Sequence, residues 1–174
     1  MITDISPYVI YELGMLKGQH VRLCRYRFNG SGYNEGYVLV GENSSFFIRC
    51  KANVVEDKHD IHFLVIKAFQ NIELDDSFSY DTQFEGKLEG IQILKSTTKG
   101  MIVQRKVVQD IITENALLAD FEGDKRLLIY PHSRLYSDTS ISANTDEILD
   151  LINARRFQTS RIAKQDVNLL LTQG

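Results

Sequence analysis

Basic and aromatic side chains crowd one short stretch of the chain: Arg22, Arg25, Tyr26, Arg27 and Phe28, with Arg49 and Lys51 following. On the face of a sheet, arginine and aromatic side chains grip phosphates and stack on bases, which points to RNA or single-stranded DNA. The same alternation of arginines also keeps an exposed strand soluble and blunts pairing at its edge. Acids suggest a second chemistry. Asp75, Asp76 and Asp81 precede Glu85-Gly86-Lys87, a carboxylate set followed by E-x-K. Carboxylates of that kind hold Mg²⁺ while a lysine attends the attacking water. Asp76, Asp81, Glu85 and Lys87 would then be the catalytic residues of a small metal-dependent hydrolase or nuclease. Glu56-Asp57-Lys58 is a second E-x-K in the same chain, so the pattern has low specificity.

The remaining reactive side chains offer less. His59 and His62 are three apart and open a strand, where that spacing sends them to opposite faces. They are weak metal candidates, and the expectation is solvated turn histidines with no metal. Cys24 and Cys50 each fall inside a strand and read as reduced core thiols. The chain has no G-x-S-x-G elbow and no phosphate-cradling P-loop. Gly30-Ser31-Gly32 lies between strands rather than before a helix, so it reads as a hairpin turn and no cofactor is expected.

The elements that must position these groups are mostly strands. Ser6 can cap a helix with Pro7 in its first turn, and Val9, Ile10, Leu13 and Leu16 give it an apolar face up to Gly18. Strands follow at 20–28, 33–40, 46–55 and 61–69, joined by short turns as a meander, with Asn29-Gly30 a strong hairpin signal. The stretch 73–83 is polar and reads as a loop, 88–94 as a strand, and 101–118 is divided between helix and strand. Residues 117–121 and 126–130 flank a turn and read as a hairpin. Asn144 and Glu147 start a helix, and a second helix is expected from Ser160 to Leu171. Arg155, Arg156, Arg161 and Lys164 would cap and solvate these terminal helices.

The capped helix at 6–17, the strand at 20–25, Gly36 to Asn43 in the place of a bent second strand and Phe46 to Arg49 as the third together resemble Sm-like proteins, the Sm and Hfq families. The resemblance covers about residues 6–74. It implies an SH3-like barrel able to bind nucleic acid or assemble into rings. The acidic and amide positions of the first Sm motif fall nearest Glu42 and Asn43, and no second motif follows.

Length and composition bound the rest. The chain has 174 residues, 43% hydrophobic and 25% charged, enough to bury a core without a disulfide or metal. A net charge of −3 argues against non-specific DNA packaging but leaves room for a local basic patch. Neither a secretion signal nor an apolar run of about 20 residues is present, so a cytoplasmic protein without membrane contact is expected. The expected fold is α+β, mainly antiparallel β. It would be a small bent SH3- or Sm-like barrel or a meander sheet, with a short N-terminal helix and two C-terminal helices. One domain over 1–174 is the first expectation, and a division into 1–74 and 75–174 is the alternative. The expected function is a non-enzymatic binding or interaction module. Its first partner class is a protein or a second copy of the chain, joined through the terminal helices. Nucleic acid comes second, and the metal-dependent hydrolase is the alternative class.

Overall fold

The computed structural model describes residues 3–28, 34–55, 59–69, 78–98, 102–103, 106–107, 110–132 and 139–164. Helix α1 spans Pro7–Gly14. The strands β1 His20–Phe28, β2 Asn34–Val40, β3 Ser45–Val55 and β4 His59–Phe69 follow. Next come β5 Phe78–Thr98, β6 Ile102–Val103, β7 Lys106–Val107, β8 Ile111–Phe121, β9 Lys125–Pro131 and β10 Thr139–Ser142. Helix α2, Thr145–Arg155, and β11, Gln158–Ala163, end the described chain.

Nine strands form one antiparallel sheet in the order β10-β9-β8-β5-β1-β2-β3-β4, with β11 joined to β5, and β6 and β7 pair with each other apart from it. The expected four-strand meander is its β1-to-β4 half. The long strand β5 belongs to both halves. Its first half pairs with β1, and from Leu88 on it pairs with β8 and β11. An irregularity between Leu88 and Gly90 marks the changeover. The sheet folds back there, so that Val21, Leu23, Leu39, Phe46 and Ile48 of the first half share one buried cluster with Ile91, Ile93, Leu117 and Ile129 of the second. The sheet is open, with β4 and β10 at its ends, so the SH3- or Sm-like barrel implied by the resemblance is not reproduced.

Helix α1 closes one end of the inter-sheet space with Leu13 and Leu16. Ser6 accepts from the Val9 N–H at 3.2 Å and Pro7 opens the helix. The helix stops at Gly14, before the expected Lys17. A Cβ on Gly14 would lie 2.7 Å from the Lys164 carbonyl oxygen, so only glycine lets the end of the chain approach so closely. Helix α2 starts as read, with Asn144 accepting from the Glu147 N–H at 3.0 Å. It covers the outer face of the second half through Ile148, Leu151 and Ile152 against Leu94, Ala116, Leu118, Leu128 and Tyr130.

Several sequence expectations need correction. Residues 160–163 are strand β11, not a second C-terminal helix, because the edge of β5 beside Ile91 to Lys95 offers them a ladder; 165–174 lie outside the described residues. The stretch 78–83 is strand rather than loop: Gln83 is an extra residue opposite β1, and this bulge breaks the period of two that would have revealed it. The segment 111–118, which the sequence leaves between helix and strand, is strand, paired with β5 throughout and with β9 from Leu117 on. His62 is not a solvated turn residue; it is 9% exposed within β4, opposite Ala52.

Candidate functional site

Register decides which of the basic and aromatic residues meet. Val21 and Leu23 of β1 and Tyr37 and Leu39 of β2 face the core. Alternation therefore sends Arg22 and Tyr26 to the outer face, with Gly36 and Val38 beside them on β2. On β3, Phe46 and Ile48 are core, so Phe47, Arg49 and Lys51 are outer. On β4, the partners of these three are Lys67, Val65 and Phe63. On β5, Glu85 lies opposite Arg22 and Lys87 opposite His20. One outer face thus carries Arg22, Arg49, Lys51, Lys67 and Lys87, and Glu85 is the carboxylate described among them. Glu85 lies 3.7 Å from His20, with both side chains exposed.

An aromatic pair lies among these cations. Tyr26 and Phe47 meet edge to face with ring centroids 5.5 Å apart, and the Arg49 guanidinium sits 5.8 Å from the Phe47 centroid. Gly36 makes this possible. It has φ +144°, and a Cβ there would lie 3.1 Å from the tip of the Phe47 ring and 2.7 Å from the Ile48 carbonyl oxygen. The Nε of Arg49 is buried without a hydrogen-bond partner. Beneath this layer Cys24, Val38 and Val65 are buried.

The structure brings together four of the six candidate nucleic-acid residues, Arg22, Tyr26, Arg49 and Lys51. Arg25 and Arg27 go to the other side of β1, where Arg25 lies opposite Tyr37 and Asp81. The side chain of Phe28 lies outside the described part. Lys67 was missed, and Lys87 was read only as part of the E-x-K set; counting phases along β4 and β5 against their neighbours would have placed both on this face.

The acids do not gather. Asp75 and Asp76 lie outside the described residues. Asp81 shares a face with Arg25, whereas Glu85 and Lys87 share the opposite one with Arg22 and His20. Asp81 and Glu85 are about 13 Å apart along the strand. The His59 side chain lies outside the described part, and neither ring nitrogen of His62 has a hydrogen-bond partner. Among the described residues no three His, Cys, Asp or Glu side chains are placed to hold a metal ion.

Both cysteines are free and buried. The Cys50 N–H donates to Thr139 Oγ1 at 2.8 Å and its thiol to the Asn115 carbonyl at 3.7 Å. Burial pushes this thiol up to about 12, with the Thr139 contact and the Arg155 charge pulling weakly the other way. It therefore stays protonated near neutral pH and is a poor nucleophile.

One ionised cluster centres on a buried carboxylate. Glu114 has no side-chain exposure and accepts from Arg161 Nε at 2.8 Å and Nη2 at 2.7 Å, from Ser160 at 2.7 Å and from Thr3. Arg161 also donates to the Ile5 carbonyl at 2.9 Å. Burial alone would raise the Glu114 carboxyl, but the hydrogen bonds from Arg161, Thr3 and Ser160 and the Arg161 charge outweigh it and hold the group below its ordinary value. This cluster pins the N-terminal segment to β8 and β11. Arg161 thus lies on strand β11, partly exposed and paired to Glu114, not on a solvated helix face. Arg155 likewise donates to the Pro131 and His132 carbonyls and stacks over Tyr130 at 5.0 Å.

Site and fold together define a folded-back antiparallel sheet with a basic, aromatic outer face. No protein family, curated protein or solved structure matches the chain. Among the described residues, no helix is long and apolar enough to cross a membrane.

Proposed function

We propose that the protein is a non-enzymatic binding module that takes single-stranded nucleic acid on the outer face of β1 to β4. The observation that supports this is the set Arg22, Arg49, Lys51, Lys67 and Lys87 around the Tyr26–Phe47 pair, on a chain whose net charge is −3. Local concentration of cations in an acidic protein favours a polyanion over non-specific adhesion. A sheet face with aromatic rings between cations suits bases that stack while phosphates lie beside them. A flat duplex surface would leave the rings unused.

Fluorescence anisotropy with a short labelled oligothymidylate tests this. The wild type should bind saturably at low salt and weaken as salt rises. The double variant Arg49→Ala/Lys51→Ala should lose about tenfold or more in affinity, and the slope of log affinity against log salt should shrink by about 1.4. An oligonucleotide that never binds the wild type at low salt would rule the reading out.

A protein partner or self-association is the second reading. Leu149 of α2 and Ile162 of β11 are 47% and 51% exposed, on the half of the molecule that lacks the basic face. Light scattering that returns a monomer at high concentration removes self-association.

A further inference from the structure

Three rings that reach solvent form a diagonal row on the outer face. Tyr26 of β1 is opposite Gly36 of β2, and Phe47 of β3 is opposite Val38, so the two rings are one row apart across β2. Both are half-buried. Phe69 of β4 is opposite Ser45, one row further on, and shares the outward phase of Lys67. It is 42% exposed, so solvent reaches a large apolar ring there. Phe69 is the diagonal neighbour of Phe47, at about 7–8 Å.

Neither the angles nor the spacings of these rings suit a stacked run of bases. The Tyr26 and Phe47 planes stand 76° apart with centroids 5.5 Å apart. In a stacked strand, neighbouring bases are nearly parallel and about 3.4 Å apart. A base on Tyr26 and the next on Phe47 must turn out of each other's plane, and a base on Phe69 must be drawn further along. The strand therefore binds only after its own stacking is broken. That cost depends on the base: adenine runs stack strongly, whereas pyrimidine runs stack weakly on a flexible backbone. The cations do not offset the difference. Lys67, across the ladder from Phe47, and Arg49 and Lys51 on β3 meet phosphates, which every sequence carries.

We infer that the outer face selects pyrimidine-rich single strands over adenine runs, and that Tyr26, Phe47 and Phe69 set this preference. The selectivity rests on the nucleic-acid reading above and adds a base class to it.

Fluorescence anisotropy with labelled oligothymidylate, oligodeoxyuridylate and oligodeoxyadenylate of equal length, at one salt concentration, tests it. The two pyrimidine strands should bind within about twofold of each other, and both about fivefold or more tighter than the adenine strand. Tyr26→Leu/Phe47→Leu should bring the three affinities within about twofold of one another. If that variant does not fold, Phe69→Ala changes only an exposed position. It should weaken oligothymidylate about fivefold, weaken oligodeoxyadenylate less, and keep the salt slope, since no phosphate contact is lost. Equal wild-type affinities for the three strands overturn the selectivity and leave nucleic-acid binding standing. Tight binding of oligothymidylate alone means a pocket for one base and overturns it too. A preference that survives in the variants removes the rings as its source. Binding of none of the strands overturns the nucleic-acid reading, and the selectivity with it.

Discussion

The two outer faces of the folded sheet have opposite chemistry. Behind β5, β8 and β9, the outward residues Leu94, Ala116, Leu118, Leu128 and Tyr130 are buried under α2. In front of β1 to β4, the outward residues include Arg22, Tyr26, Phe47, Arg49, Lys51 and Lys67, and α2 packs on the other half. One face has been used for stability. The other keeps exposed cations and half-exposed rings over a thin layer of Cys24, Val38 and Val65, with no helix among the described residues packed across it. The difference teaches where to look for function, because charged side chains left facing solvent are the ones available to a partner.

The sharpest way to break the comparison is at the core end of the covered half. Glu114→Gln leaves Arg161 facing a neutral amide and should cost about 3–5 kcal/mol in a urea titration. The acid limb gives a second reading. Because the folded Glu114 carboxyl sits below its ordinary value of 4.5, its contribution is present above that pH. It is lost as pH falls through the lowered folded value. Wild-type stability should drop there, and the variant should lack that part of the drop. A variant as stable as wild type at pH 7 would show that the cluster is not holding the N-terminal segment.

Two smaller losses belong to α2. Ile148→Ala empties a buried position between the helix and the sheet and should cost about 2–5 kcal/mol. Asn144→Ala removes the cap on the Glu147 N–H and should cost about 1 kcal/mol. Both should leave oligonucleotide affinity unchanged. A fall in affinity with either would mean that the covered half takes part in binding.

The covered half was only partly legible in the sequence. The hairpin at 117–130 was readable because turn residues sit between two apolar runs. The start of α2 was readable because Asn144 and Glu147 have capping spacing. Strand β11 was not, since Ser160 and Arg161 fit a helix as well as a ladder, and only the edge of β5 decides between them. The basic face was legible in composition but not in membership. Alternation separates Arg22 and Tyr26 from Arg25 and Arg27, yet without the cross-strand partners nothing says which set is outward. Lys67 was invisible, and Lys87 was read in another role, for the same reason: a lone lysine has its place only once its neighbour, here Phe47 or His20, is known.

Lys67 gives the smallest and most discriminating effect. Lys67 is exposed and lies across the ladder from Phe47, so Lys67→Ala should change stability by no more than about 0.5 kcal/mol. If the oligonucleotide crosses the sheet from β1 to β4, the variant removes one phosphate contact, and the salt slope should shrink by about 0.7. Lys125, exposed at the turn between β8 and β9, is the matched control: Lys125→Ala removes the same charge from the other half. Net charge alone would make the two variants behave alike. A face that binds locally must tell them apart, with the slope falling for Lys67→Ala and holding for Lys125→Ala.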